Sequence, residues 1–266
     1  MAERAVVVIQ ARLGSTRLPG KALADIAGRP MLAHVAERAS AIPGIAGVVI
    51  ATTVSPADEA LAAFARQAGL PCIRGSEADV LDRFCLAARE ARAEAIVRVT
   101  ADCPILDPEV SGRVLAAYLG RRPAVDYASN VHPPTYPDGL DTEVVSVEAL
   151  ETAARETQLP SDREHVTAYI WRRPERFRLM NVAHSEDLSA HRWTVDTGAD
   201  LAFVRAVFEA LGRGGSRAGM AEVLELLVRR PALRDLNAGL RRNEGFERSL
   251  AADHQAVTPA RGTAAP

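Results

Sequence analysis

Lysine is nearly absent from this chain of 266 residues: of its 32 Lys and Arg residues, one is lysine, Lys21. So strong an arginine bias, beside abundant alanine, is what a GC-rich coding sequence produces. The surviving lysine is then either chance or a position that needs a compact ammonium rather than a flat guanidinium. Cysteine is scarce too. Cys72, Cys85 and Cys103 are odd in number, lie far apart and form no Cys-x-x-Cys pair, which excludes a zinc knuckle or redox motif and implies a reduced, cytoplasmic setting. An excess of either charge is missing, with 34 Asp and Glu giving a net charge of −2; no broad basic face for nucleic acid is expected. No stretch reaches the roughly 18 apolar residues of a membrane span. The apolar run 5–9 is too short for a signal segment and meets Gln10 and Arg12 at once, so neither export by a classical signal nor membrane association is expected.

What is present is a repeating alternation. Short apolar runs at 6–9, 48–50, 72–73 and 96–99 read as strands, separated by helical patterns at 31–40, 57–69, 79–91 and 107–119. Continuous apolar strands joined by crossover helices predict an α/β fold with a parallel sheet covered on both faces. The second half is less regular. It predicts extended segments at 125–130, 142–147, 177–182 and 193–195, helices at 148–156, 161–171, 199–211 and 220–229, and a proline-rich loop at 132–139. Residues 1–242 are expected to form one catalytic domain, and 243–266, drifting into Ala, Thr and Pro, a frayed low-complexity tail. No internal repeat is visible.

The first strand runs into Gln10-Ala11-Arg12-Leu13-Gly14-Ser15-Thr16-Arg17-Leu18-Pro19-Gly20-Lys21. Glycines let backbone amides converge on an anion while cations neutralise it, and the carboxyl edge of an α/β sheet is where ligands bind. This is no Walker A motif, because five residues separate Gly14 from Gly20 and Ala22 follows the lysine; nor does any Gly-x-Gly-x-x-Gly occur. A charged surface loop is the plain alternative.

The segment from Arg12 to Lys21 resembles the signature of the spore-coat polysaccharide (SpsF-type) cytidylyltransferases, relatives of the acylneuraminate and 3-deoxy-manno-octulosonate cytidylyltransferases. The resemblance continues through Arg74-Gly-Ser-Glu-Ala-Asp-Val-Leu-Asp-Arg83, Arg98-Val-Thr-Ala-Asp-Cys-Pro104, Asp162-Arg-Glu-His-Val-Thr167 and Arg192-Trp-Thr-Val-Asp196, about 240 residues in order. It implies a three-layer α/β/α, Rossmann-like nucleotide-diphospho-sugar-transferase fold with a mostly parallel sheet. It also implies transfer of CMP from CTP in polysaccharide biosynthesis, and a homodimer. Arg12, Gly14, Ser15, Arg17 and Lys21 take the role of the triphosphate loop, with Arg12, Arg17 and Lys21 acting in catalysis and Ala11 and Thr100 beside the nucleotide.

Nucleotidyl transfer needs a divalent ion, and Mg²⁺ usually takes one or two carboxylates. The resemblance makes Asp102 and Asp196, each following a predicted strand, the ligands. Alternatively Asp102 is a turn residue before Pro104, and Asp196 or Thr197 caps the next helix. Arg74 and Asp79 are candidates for hydrogen-bonding cytosine, although Asp79 also suits a helix cap. Asn130, Asp138, Glu143, Arg163, His165 and Arg192 are candidates for an acidic acceptor, with Glu164 open to a capping box begun by Ser161 and Trp193 suited to the core. The expected activity is Mg²⁺-dependent transfer of CMP from CTP to a sugar acid or phosphonate with release of pyrophosphate. The alternatives are a glycosyltransferase, though Asp-x-Asp is absent, and a non-catalytic nucleotide-binding protein.

Overall fold

Apolar runs without polar interruption can be buried only where a sheet is covered on both faces, and that is how this chain uses them. The computed structural model describes residues 3–257 except 213, 214 and 216. β1 (Ala5–Gln10) is followed by a hairpin of β2 (Asp25–Ile26) and β3 (Arg29–Pro30), then α1 (Met31–Ser40), β4 (Gly47–Thr53), α2 (Glu59–Gln67), β5 (Cys72–Gly75), α3 (Val80–Glu90), β6 (Ala95–Thr100) and α4 (Pro108–Leu119). The remainder adds β7 (Tyr127–Ser129), β8 (Glu143–Ser146), α5 (Val147–Glu156), α6 (Pro160–Glu164), α7 (Ala168–Trp171), β9 (Leu179–Asn181), α8 (Gly198–Leu211), α9 (Met220–Arg229) and α10 (Glu244–Val257).

The main sheet has seven strands in the order β5-β4-β1-β6-β8-β7-β9. β4, β5 and β6 join β1 in parallel, β8 runs antiparallel to β6 and β7, and β9 pairs in parallel with β7. The mostly parallel α/β architecture is therefore as expected. Alternate side chains of β1 divide between two cores. Val7 and Ile9 pack with Leu32, Val35, Leu61 and Val114 from α1, α2 and α4, while Val6 and Val8 pack with Leu81, Phe84 and Leu150 from α3 and α5. A third cluster centres on Trp193, Phe203, Val204 and Phe208 and joins α8 and α9 to the hairpin through Ile26. No helix among the described residues is long and apolar enough to cross a membrane.

This topology positions the site. The chain leaves β1 for β4 on one side and returns to β6 on the other, so the carboxyl end of β1 is a switch point, where a crevice opens. The loops after β1, β4, β5 and β6 all meet there.

Three local expectations are corrected. Residues 161–171 are not one helix: Val166 adopts a positive φ of 58° and separates α6 from α7. Residues 193–195 form no strand, since only Arg192 makes an isolated bridge, to Asp138. The frayed tail from 243 is instead α10 as far as Val257, and residues 258–266 lie outside the described residues.

Candidate active site

The loop after β1 is built from its own backbone. Ser15 and Gly20 both donate their amides to the Leu13 carbonyl at 2.9 Å, and Gly20 turns the chain with φ 73°. Beneath it, the buried Asp58 carboxylate accepts the Leu13 amide at 2.7 Å and the Thr53 hydroxyl, which ties the loop to the end of β4. Ala11 is buried and donates to the Ala51 carbonyl at 3.0 Å. The loop thus closes on itself before it reaches Lys21.

At Lys21 three chain segments converge. Its Nζ donates to Asp102 Oδ2, Asp196 Oδ1 and the Val195 carbonyl, each at 2.8 Å. Burial opposes charge here, but the two neighbouring carboxylates outweigh it and raise the lysine pKa. Burial likewise raises that of Asp102, and the Lys21 ammonium overcomes this to hold the carboxyl at about 2. Two acids 94 residues apart in sequence are therefore brought together on one cation. Carboxylates aimed at a single cationic point suit a hard divalent ion that completes its shell with water and phosphate oxygens. No group of three or more His, Cys, Asp and Glu side chains able to hold a metal occurs among the described residues.

Asp196 faces the site because its alternative duty is filled by another residue. Thr197 caps α8 and forms a capping box with Asp200, which leaves Asp196 free of that role. Asp196 Oδ2 takes Arg17 at 3.0 Å and Arg192 at 2.8 Å. Arg192 also donates to Asp138 at 2.9 Å and to Asp200 at 3.0 Å. With all three guanidinium nitrogens committed, Arg192 positions Asp196 rather than waiting for an acceptor. Burial and Asp141 raise the pKa of Asp138 to about 7.

Gly139 sets the path of the segment carrying Asp196. The Asp138 carbonyl accepts the amides of Trp193 at 2.6 Å and Thr194 at 3.1 Å. Gly139 has φ 109°, and a Cβ there would lie 2.7 Å from Thr194 N and 2.8 Å from the Trp193 carbonyl carbon. Gly139→Ala is expected to destabilise the protein by about 3 kcal/mol through strain and backbone overlap. A thermal melt should fall by roughly 6–12 °C; an unchanged melt would refute the packing described.

The profile of one protein family, Cytidylyltransferase, matches residues 6–208, more than half of the chain and both arms of this site except α10. The chain belongs to the cytidylyltransferase family. Its relatives include the spore coat polysaccharide biosynthesis protein SpsF of Bacillus subtilis, 32% identical over 231 residues that cover 84% of this chain and 94% of that one. The 3-deoxy-manno-octulosonate cytidylyltransferase of Escherichia coli is 29% identical, covering 77% of this chain and 96% of its own. Among solved structures, a cytidylyltransferase from Leptospira borgpetersenii superposes with a TM-score of 0.85 at 26% identity, covering 90% of this chain and all of that one.

Within this cytidylyltransferase fold, the other residues singled out in the sequence have varied placements. Thr100 ends β6 and turns its hydroxyl to Cys103 Sγ at 3.3 Å and towards Asp102. Gly14 and Ser15 lie in the loop, and Arg12 reaches Glu164 at 3.2 Å with its side chain partly exposed. Glu164 is thus a partner of the loop; α6 has no side-chain cap, so the Ser161 capping box does not form. Arg74 is committed to the end of β4 and the turn after it: its guanidinium donates to the Thr53 and Ser55 carbonyls and to Glu59 at 2.5 Å. Asp79 caps α3 through the Asp82 amide at 2.9 Å and pairs with Arg163 at 2.6 Å. Asn130 spends both ends of its amide on the backbone, at Leu140 and Thr142, and so staples the proline-rich loop. Glu143 is buried in a network with Arg98, Tyr127 and Thr167. Neither Asn130 nor Glu143 has a free polar atom to offer an acceptor in this arrangement. Trp193 is core, at 1% exposure.

Sequence reasoning missed α10, which lies across the loop and the α6–α7 turn. Glu244 takes Arg17 at 3.2 Å, Ser249 bonds both Glu164 and His165, and Asp253 accepts the Ser161 amide. Phe246 packs edge-on against His165 with centroids 4.9 Å apart. Residues 244–253 hold only two large apolar side chains, Phe246 and Leu250, too few to establish a helical period. Asp58 and Asp200 were missed as well, though Thr197-x-x-Asp200 carries a legible capping signal.

Proposed function

We propose that the protein transfers CMP from CTP to an acidic small-molecule acceptor, a sugar acid first among them, with release of pyrophosphate and dependence on Mg²⁺. The observation that carries the reading is the meeting of Lys21, Asp102 and Asp196 beside the glycine-containing loop at the switch point of the sheet. The names of the octulosonate-activating relatives favour a sugar acid.

In this reading, the loop amides with Arg12, Arg17 and Lys21 hold the triphosphate and stabilise charge on the departing pyrophosphate. Asp102 and Asp196 would hold Mg²⁺, which supplies neutralisation of the triphosphate and polarises the α-phosphoryl group. An acceptor oxygen bonds to the α-phosphorus, the bond from that phosphorus to the β-bridging oxygen breaks, and the acceptor proton leaves to solvent or a nearby base. Arg192 keeps Asp196 in place during this exchange. Contact of Arg17 with both Asp196 and Glu244 supports a position for it between the phosphates and α10.

The test is a pyrophosphate-release screen of CTP, UTP, ATP and GTP against acidic sugars and phosphonates. Release is expected with CTP and at least one sugar acid, lost on chelation with EDTA and restored by Mg²⁺. Wild-type protein that releases no pyrophosphate from CTP with any acceptor would overturn the reading.

A further inference from the structure

Helix α10 lies beyond residue 208, where the match to the cytidylyltransferase family ends, yet it reaches both arginines of the loop after β1. Glu244 accepts from Arg17 Nη1 at 3.2 Å, with both side chains only partly exposed. Ser249 Oγ donates to Glu164 Oε2 at 3.2 Å, and the other oxygen of that carboxylate accepts from Arg12 at 3.2 Å. The same Ser249 Oγ lies 3.0 Å from Nε2 of His165, one of the residues singled out for the acceptor. Lys21, the third cation of the loop, is taken by Asp102 and Asp196. Every cation of the loop is therefore paired with a carboxylate of the chain itself.

The helix that completes this pairing is lightly held. Among residues 244–253 only Asp253 is buried, and its carboxylate accepts the Ser161 amide at 3.2 Å. Phe246 packs on His165 and, at 5.4 Å between centroids, on Trp171. Elements with few buried apolar side chains open at low free energy. The chain just before the helix is firmly tied, since Arg242 donates to Asp141 at 2.5 Å and to the Tyr136 carbonyl at 3.3 Å. Between tie and helix stands Asn243 with φ 62°, a left-handed conformation that asparagine tolerates. A joint at 243 lets the helix swing while residue 242 stays in place.

We propose that α10 is an autoinhibitory strap: Glu244, and Glu164 held by Ser249, occupy Arg17 and Arg12 in place of nucleotide phosphates, and a bound triphosphate releases the helix about Asn243. The proposal rests on the CTP reading above for the role of the loop and adds a resting state to it. A carboxylate substitutes for a phosphate at a guanidinium because both offer paired oxygens to its donors. Ion pairs between partly exposed side chains are weak. A triphosphate brings several charges to the same donors, repels Glu244 and displaces it by mass action. The apparent affinity for nucleotide is then set by the fraction of molecules in which the strap is open.

Glu244→Gln and Ser249→Ala in the full chain test it, with inorganic tripolyphosphate and CTP compared by calorimetry and residues 244–253 followed by amide hydrogen exchange. Glu244→Gln should bind both ligands at least about threefold more tightly than wild type, and Ser249→Ala should shift in the same direction. Glu247→Gln is the control, because it removes the same charge from the same helix but pairs only with Arg241, at 3.7 Å. Its affinities should match those of wild type. In wild type, saturation with tripolyphosphate should speed exchange across 244–253 at least about tenfold and leave β1 and β6 protected. Unchanged or weaker binding in Glu244→Gln, an equal gain in Glu247→Gln, or slower exchange of α10 with ligand bound would each overturn the strap while leaving the CTP reading intact. Failure of both wild type and Glu244→Gln to bind tripolyphosphate or CTP would overturn that reading, and the strap with it.

Discussion

Asp102→Asn and Asp196→Asn are each expected to leave a folded protein with turnover lowered by at least about a thousandfold. The two carboxylates reach Lys21 from β6 and from the segment before α8, so each supplies half of the negative charge gathered at that point. An amide keeps the shape and can still accept a hydrogen bond from Lys21, yet it binds a hard divalent ion poorly. Polarisation of a phosphoryl oxygen by a metal supplies several kcal/mol of barrier lowering, and each 1.36 kcal/mol is about tenfold in rate. In Asp102→Asn, Lys21 retains Asp196 and the Val195 carbonyl, so the fold has no reason to fail. Acidity cannot mimic the change under ordinary conditions, because Asp102 stays ionised until the pH falls towards about 2. Its depressed pKa contributes stability above the ordinary carboxylate value, lost as pH drops from about 4 towards that point. Turnover by pyrophosphate release and Mn²⁺ affinity by calorimetry should fall together. Near-wild-type turnover in both variants would remove the metal assignment.

Lys21→Arg, although it conserves charge, should cost at least tenfold in kcat/KM, about 1.4 kcal/mol or more. The ammonium fits within 2.8 Å of three oxygens from two segments, and its side chain is only 13% exposed. A guanidinium is longer, planar and rigid, and cannot direct donors at three converging oxygens from one nitrogen. It would push Asp102 and Asp196 apart or turn outward to solvent. Lys21→Met, which removes the charge as well, should cost more and raise KM for CTP. Steady-state pyrophosphate release across CTP concentrations separates these effects, and full activity in Lys21→Arg would return the lone lysine to chance.

Arg192 and α10 illustrate why part of the site was hidden. Sequence marks Arg192 as a cation near a candidate acid and cannot say whether its charge is free; the fold surrounds it with Asp138, Asp196 and Asp200 and uses it up. Glu143 and Asn130 were plausible polar contacts by position, but burial forced each to satisfy its own neighbours first, as buried polar groups must. In α10 the contacts that dock the helix, such as Glu244 with Arg17 and Asp253 with the Ser161 amide, are polar and span 227 and 92 residues. No local pattern encodes pairs of that kind.

By itself, the sequence determined the alternation of buried strand and crossover helix, because burial on both faces demands continuous apolar runs. It also marked the loop after β1, because glycine and cation spacing are local properties, and it marked Lys21 by rarity alone. Tertiary structure decided which charges remain available: Lys21 meets two distant carboxylates, Arg74 is spent on carbonyls and Glu59, and Arg192 is taken up by three acids. Whether a polar group is satisfied depends on what the fold brings within about 3 Å of it, and hydrogen bonds act only at that range.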